Sequence, residues 1–485
     1  MAKPPGSTNL FRLLTLLAGP AAYLLCSQLG PAALGMDQRE VLGVGLWMVI
    51  WWLTEPVPLA VTSLLPIILL PLFGVMSVRD VTSPYASELI FLFLAGFLLA
   101  AALERWNAHQ RLALRIVGLA GSSGRAVVLA VMAATAFVSM WISNTATAAM
   151  MYPIAVAVGM LFGEGRDADR LRTALLLGLA YSASIGGMGT LLGTPPNLIF
   201  AAAAERFIGQ PFDFVRYLTI GLPCVLLLLP ICWALLVHVL FRAEVTLNEE
   251  ARRHLRERRE RLGPLRGAEL ATLLVFSAAA LGWLLREPKD FGGFKLPGLA
   301  SLAPGITDAS VGLAAALLLF VLRGTDERGE RRPLLTWTEA RAIPWDVLLL
   351  FGGGLSLAAS LEATGLTTWV GQRLVQASDL PPLAVLLVFA SVTVLLSELA
   401  SNTAVAAMML PIAAGVAPAV DLPPLTLMAV AALSASAGFA LPIATPPNAL
   451  VYGSGRVTSR QMLVAGLFLD VIAMAVIVGV VSVVW

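Results

Sequence analysis

With 485 residues, 58% of them hydrophobic and only 13% charged, the chain has too little polar surface for an ordinary soluble domain, and its mean hydropathy of +0.84 indicates an all-α polytopic membrane protein. The formal net charge of +2 supplies no overall basic field and so argues against nucleic acid as a partner. Cys26, Cys224 and Cys232 lie in apolar stretches without metal-type spacing, and His109, His238 and His254 are scattered, so no metal or catalytic cluster is expected from them.

Apolar segments fall near residues 10–30, 41–54, 57–74, 88–104, 126–160, 172–204, 217–241, 268–285, 306–323, 345–362, 383–420, 425–453 and 462–485. Lys3 and Arg12 flank the start of the first, which lacks a small-residue cleavage site and reads as a retained span. Segments 126–160 and 383–420 exceed the ~20 residues that cross a bilayer once. Each carries Ser-Asn-Thr at its middle, so each is expected to enter and leave on one side as a re-entrant hairpin, leaving about 11 transmembrane helices.

Arginines set the sidedness. The stretch 242–266 holds Arg242, Arg252, Arg253, Arg256, Arg258, Arg259 and Arg261, and 323–341 adds Arg323, Arg328, Arg331, Arg332 and Arg341. Positive loops mark the cytoplasmic face, which also places Arg105, Arg111, Arg115, Arg125, Arg456 and Arg460 inside. The N-terminus is then cytoplasmic and the C-terminus outside. The run 242–266 is expected to form an amphipathic cytoplasmic helix between two halves, acting chiefly as a solvated orientation determinant.

Those halves repeat. An offset of 258 residues superimposes Ser143-Asn144-Thr145 on Ser401-Asn402-Thr403, Glu104 on Glu362, Gly96 on Gly354 and Pro153 on Pro411. Downstream, GTPPN at 193–197 matches ATPPN at 444–448 with an offset of 251, the difference being the charged loop 163–170. An odd number of spans separates the repeats, so they run in opposite senses. Inverted repeats with interrupted helices in matching places point to a secondary transporter.

The chemistry of these four motifs follows from their backbone. Pro-Pro inside an apolar span removes two donors, and irregular backbone at membrane depth persists only where protein or a hydrated cavity satisfies it. The Thr194-Pro195-Pro196-Asn197 and Thr445-Pro446-Pro447-Asn448 motifs are therefore expected to unwind their helices and free carbonyls for a hard cation. Helices starting after each triplet present N–H groups to an anion. No Lys or Arg occurs in 126–160, 173–204, 383–420 or 425–453, so a bound anion there needs cations and helix dipoles to balance it.

At these residues the chain resembles the divalent anion–sodium symporter family, whose members move dicarboxylates, citrate or sulfate. The resemblance implies a homodimer with scaffold and transport domains, the latter moving as an elevator. It implies N-terminal scaffold helices at 1–87 and a first repeat at 88–241, with a hairpin at 126–160 and a broken helix at 172–204. A charged linker at 242–267 and linking helices and loops at 268–341 follow. The second repeat is then 345–485, with a hairpin at 383–420 and a broken helix at 425–453.

By position, the resemblance assigns a first sodium site to Ser139, Ser143, Asn144 and Gly193, and a second to Ser397, Ala400, Asn402 and Ala444. It assigns the substrate to Ser143, Asn144, Thr145, Ser401, Asn402, Thr403, Thr194, Thr445 and Pro446. Because the second triplet keeps Thr403, it favours a C4-dicarboxylate such as succinate, taken up with sodium across the inner membrane. Sodium-independent dicarboxylate exchange, or sodium-coupled sulfate or citrate transport, are the alternatives. No organic cofactor and no enzymatic activity are expected.

The membrane potential opposes dianion entry by about 2.3 kcal/mol per charge per 100 mV. Two sodium ions would neutralise that cost and a third would reverse it, so at least two are expected. Glu398 is the asymmetric feature, since Met140 occupies its place in the first repeat. It reads as a packing carboxylate paired elsewhere, or as one that tunes the second cation site or accepts a proton.

Overall fold

The computed structural model describes residues 7–31, 33–108, 111, 115–116, 118, 121–209, 212–246, 265, 267–290, 295–303, 305–325, 329–366, 369 and 381–485. Most of the charged stretch 242–266, for which an amphipathic helix is expected, lies outside these residues, as do residues 370–380.

The chain is a succession of apolar helices. α1 (Ser7–Leu29) and α2 (Met36–Thr54) pack on each other, and α3 (Leu65–Leu72) follows α2 after a short turn of helix. The first repeat comprises α4 (Glu88–Arg105), α5 (Gly124–Ser139), α6 (Asn144–Met160), α7 (Arg166–Gly187), α8 (Pro195–Ile208) and α9 (Phe214–Ala234). The connecting helices are α10 (Gly267–Leu284) and α11 (Asp308–Val321), with two small antiparallel hairpins beside them. The second repeat runs through α12 (Trp345–Ala363), α13 (Pro382–Leu399), α14 (Asn402–Val416), α15 (Pro424–Ala435), α16 (Pro446–Gly453) and α17 (Ser459–Val484).

Among the described residues, eight helices are long and apolar enough to cross a membrane. Several others are shorter because polar residues or prolines cut them. α5 has 16 residues and ends at the first triplet, which gives it a length of about 24 Å. α15 has 12 residues and α16 has 8, so neither half reaches across the ~30 Å hydrocarbon core alone. The helix ends carry the expected signals. Asp213 Oδ1 accepts the Arg216 N–H at 2.7 Å to cap α9, and Thr458 with Gln461 forms a capping box on α17.

The interrupted helices are exchanged between the repeats. α8 of the first repeat packs against α14 and α15 of the second, while α16 of the second packs against α6 and α7 of the first. Each helix break is thereby carried to the centre of the bundle. α5 and α6 both lie along α7, just as α13 and α14 both lie along α15.

Charges collect at the helix ends. Arg111 makes a two-pronged contact with Glu269 at 2.6 and 2.8 Å, tying the end of the first repeat's entry to α10. Arg286 lies 3.0 Å from Asp213 and 2.6 Å from Asp308. Glu339 binds Arg105 at 2.7 Å and Arg332 at 2.9 Å while accepting from Thr336. Burial would raise the Glu339 carboxyl pKa, but the Thr336 hydrogen bonds and the two guanidiniums outweigh it and hold the group below its usual range.

A depressed folded-state pKa contributes stability that is complete above the unfolded value, about 4.3, and fades as pH falls through the folded value. Glu339→Gln is therefore expected to lower Tm by about 1–3 °C at pH 7. The deficit should shrink below pH 4; a deficit that stays constant with pH would show that these ion pairs contribute nothing.

Candidate functional site

Each Ser-Asn-Thr triplet opens a helix. α6 begins at Asn144, and the Ser143 hydroxyl caps it by accepting the Ala146 N–H at 3.3 Å. α14 begins at Asn402, directly after Ser401. In the first triplet the Ser143 hydroxyl satisfies one of the free N–H groups of the helix start, whereas Ser401 makes no such cap bond.

Behind each triplet stands a serine from the preceding helix. Ser139 Oγ lies 2.8 Å from Asn144 Oδ1 and 2.6 Å from the Ala183 carbonyl. Ser397 Oγ lies 2.7 Å from Asn402 Oδ1 and 2.5 Å from the Ala435 carbonyl. With the amide oxygens facing the serines, a single hydroxyl proton serves three oxygens in each cluster. Such proton-poor oxygen clusters are the chemistry of a hard monovalent or divalent cation, which takes oxygen ligands. Among the described residues no group of three or more His, Cys, Asp or Glu side chains forms a site for a transition metal.

The breaks of the other two helices fall slightly earlier than the sequence suggests. The prolines do not sit in the unwound stretches; α8 and α16 restart at Pro195 and Pro446, and the irregular backbone covers 188–194 and 436–445. Proline suits the first helical position because its missing N–H would have no partner there. The unwound stretches meet at the centre, where the Thr194 and Ser436 hydroxyls lie 3.4 Å apart.

Asn197 and Asn448, the last residues of the two Thr-Pro-Pro-Asn motifs, hold these stretches in place. Asn197 Nδ2 donates to the carbonyls of Gly187 at 2.8 Å and Thr190 at 2.7 Å. Asn448 Nδ2 donates to those of Gly438, Phe439 and Leu441 at 3.1 to 3.4 Å. Both residues are fully buried. Their structural role was not among the expectations, although their recurrence at matched positions was the available signal.

A cavity of 1120 Å³ brings the motifs together. It is lined by Ser143, Asn144, Thr145, Gly193, Thr194, Ala400, Ser401, Asn402, Thr403, Ala444, Thr445 and Pro446. Of the expected site residues only Ser139 and Ser397 do not line it; both are fully buried behind the asparagines they contact.

The two breaks are alike without being identical. A Cβ on Gly193 would stand 2.4 Å from the Gly187 carbonyl oxygen, which no side chain tolerates. At the matching position of the second repeat, Ala444 carries a Cβ, so that break leaves space for a methyl group where the first does not. The sequence difference between glycine and alanine therefore records a tighter first turn.

The cavity extends to the ends of several helices. Glu55 at the end of α2, Glu104 and Arg105 at the end of α4, and Glu339 also line it. Arg105, from outside the lysine- and arginine-free segments, is thus a positive side chain at the cavity edge, engaged by Glu339. Glu104 faces this cavity, whereas its repeat mate Glu362 pairs with Arg206 at 3.1 Å.

Apolar helices whose matched interruptions converge on one oxygen-lined cavity define a membrane-embedded secondary transporter. A family model described as the sodium:sulfate symporter transmembrane region matches residues 7–485, and the chain belongs to that family. It is 36% identical over 483 residues to the sodium-dependent dicarboxylate transporter SdcS of Staphylococcus saprophyticus, covering 98% of this chain and 92% of that protein. The Staphylococcus aureus protein of the same name is 37% identical over 487 residues, covering 99% and 92%.

Two solved structures share the fold at low identity. The Alcanivorax borkumensis YdaH transporter aligns with a TM-score of 0.56 at 15% identity, covering 99% of both chains. Neisseria gonorrhoeae MtrF, described within a class of antimetabolite efflux pumps, aligns with a TM-score of 0.54 at 12% identity, covering 99% of this chain and 95% of that one.

Proposed function

We propose that the protein is a sodium-coupled symporter of a C4-dicarboxylate such as succinate. The observation that carries this is the pair of matched oxygen clusters, Ser139–Asn144 and Ser397–Asn402, set behind one cavity lined by both triplets. Sodium is carried as co-substrate, held at Ser139, Ser143, Asn144 and Gly193 and at Ser397, Ala400, Asn402 and Ala444. The dianion lies between the helix starts at Asn144 and Asn402, with Thr145, Thr403, Thr194 and Thr445 around it. Cation and anion neutralise each other in a low-dielectric cavity, which neither would enter alone. The dicarboxylate names of the 36–37% identical relatives support the choice of substrate.

In this reading the chain has about 11 membrane spans and two re-entrant hairpins, 126–160 and 383–420. It lies in the inner membrane with its N-terminus inside and works as a homodimer. The transport domain carries both hairpins and both broken helices and moves as an elevator against the scaffold. The cavity reaches Glu55, Arg105 and Glu339, which the positive-inside rule assigns to the cytoplasm; this favours an inward-facing state.

In proteoliposomes, labelled succinate is expected to accumulate above its equilibrium level only when an inward sodium gradient is imposed, with citrate and sulfate taken up less well. Counterflow that requires internal dicarboxylate but ignores sodium would instead establish an exchanger. Thr403→Val removes a hydroxyl next to the bound carboxylate while keeping the side-chain shape. It is expected to raise the KM for succinate about tenfold, the loss of a hydrogen bond of about 1.5 kcal/mol to a charged group. The sodium concentration for half-maximal uptake should change less than twofold. The opposite pattern would move Thr403 from the substrate to the cation.

A further inference from the structure

Two buried carboxylates stand behind the second break. Glu398, at the end of α13, spends both oxygens on the backbone of the unwound stretch: Oε1 accepts the Ala440 N–H and Oε2 the Leu441 N–H, each at 2.7 Å. Asp470, in the middle of α17, accepts the preceding N–H, that of Phe439, at 3.1 Å. The two side chains are 6% and 4% exposed. Among the described residues neither forms an ion pair with an arginine or lysine. Burying a carboxyl group without a cation costs several kcal/mol unless hydrogen bonds offset it; here three consecutive backbone donors, and a contact between the two side chains, offset part of that cost.

From the other side the same stretch is held by Asn448, whose amide donates to the carbonyls of Gly438, Phe439 and Leu441. The Leu441 carbonyl in turn accepts the Ala444 N–H at 3.2 Å. A chain of bonds therefore runs from Glu398 through Leu441 to Ala444.

The first repeat meets the same need differently. Met140 stands where Glu398 would be. The N–H groups of Met188 and Gly189 bond within a continuing turn, to Ile185 and Gly186 at 3.1 and 2.9 Å. The Thr190 hydroxyl donates to the Met140 carbonyl. A methionine at this place is compatible with the fold, so packing alone does not account for a buried glutamate in the second repeat.

We propose that Glu398 and Asp470 are positioning residues for the second cation site: by gripping the N–H groups of 439–441 they fix the irregular backbone that presents Ala444 beside Ser397 and Asn402. This rests on the reading of Ser397, Ala400, Asn402 and Ala444 as that site. The two cation sites then differ in how they are held, the first by its own helical turn and the second by carboxylates from two other helices.

Glu398→Gln replaces one of two acceptor oxygens by an N–H₂ group that faces a backbone donor, and Asp470→Leu removes the acceptor of the Phe439 N–H, which asparagine would keep. In proteoliposomes each is expected to raise the sodium concentration for half-maximal succinate uptake at least fivefold. The KM for succinate at saturating sodium should change less than twofold, a split that general loosening of the fold would not give. Wild-type sodium dependence in either folded variant overturns the proposal. Ser397→Ala, measured alongside, separates the two levels. If Ser397→Ala weakens sodium and the carboxylate variants do not, the positioning role fails; if Ser397→Ala also leaves sodium dependence unchanged, the cation-site reading itself fails.

Hydrogen exchange on the wild-type protein supplies a check that needs no variant. The amides of 439–441 should exchange as slowly as those of α15 despite lying outside any helix. Exchange as fast as that of an unbonded loop overturns the proposal.

Discussion

Asn144→Ala and Asn402→Ala are each expected to lower kcat/KM for sodium-driven succinate uptake by at least tenfold, with insertion and oligomeric state unchanged. Each asparagine opens a helix at the cavity and turns its Oδ1 towards a buried serine, at 2.8 Å for Ser139 and 2.7 Å for Ser397. In the proposed site, alanine would remove both the oxygen offered to the cation and the N–H₂ offered to the carboxylate. A hydrogen bond to a charged group is worth about 1.5–3 kcal/mol, and each 1.4 kcal/mol is about tenfold, so even one lost contact suffices. Both side chains stand at helix starts on the cavity wall and alanine is the smaller residue, so the fold should persist, which size-exclusion of the purified variants will check. Normal uptake by either variant removes that triplet from the site.

Gly466→Val and Gly221→Val are expected to abolish uptake, through loss of folded protein or of the unwound stretches. Each glycine lets the helix after a broken helix cross the break at backbone contact. A Cβ on Gly466 would stand 2.2 Å from Ala440 Cα, and one on Gly221 2.5 Å from the Met188 carbonyl oxygen. These are backbone atoms of the two unwound stretches and cannot swing aside as a side chain would. Overpacking in a close-packed interior costs about 1–3 kcal/mol even where side chains yield. Gly479, on the same helix as Gly466, has nothing within 4 Å of its Cβ position, so Gly479→Val is the control and should transport as wild type. Equal uptake by Gly466→Val and Gly479→Val would show that α17 does not press on the break.

The parts of this design legible in the sequence are those that violate the local rule. Ser-Asn-Thr and Thr-Pro-Pro-Asn interrupt apolar runs, and their recurrence revealed both the repeat and the residues that line the cavity. What stayed hidden depends on contacts between distant segments. The prolines announced a break, but that they restart the helix, with 188–194 and 436–445 unwound before them, follows from which backbone groups find partners. Glu398 stood out as unmatched by Met140, yet its partners, the N–H groups of Ala440 and Leu441, are about forty residues away. Asp470 drew no notice because a single acid in an apolar helix carries no spacing. Arg105, at a helix end, gave no sign that it reaches the cavity.

In the proposed mechanism sodium and the dianion occupy one site, and each completes it for the other. Equilibrium binding of labelled succinate to the purified protein, titrated with sodium at constant ionic strength with choline as replacement, tests it without any transport step. Linkage requires that the coupling be reciprocal. Succinate affinity is expected to rise at least tenfold between choline and saturating sodium, succinate to raise sodium affinity by the same factor, and Asn402→Ala to remove the coupling. Succinate binding of equal affinity in sodium and in choline would contradict it.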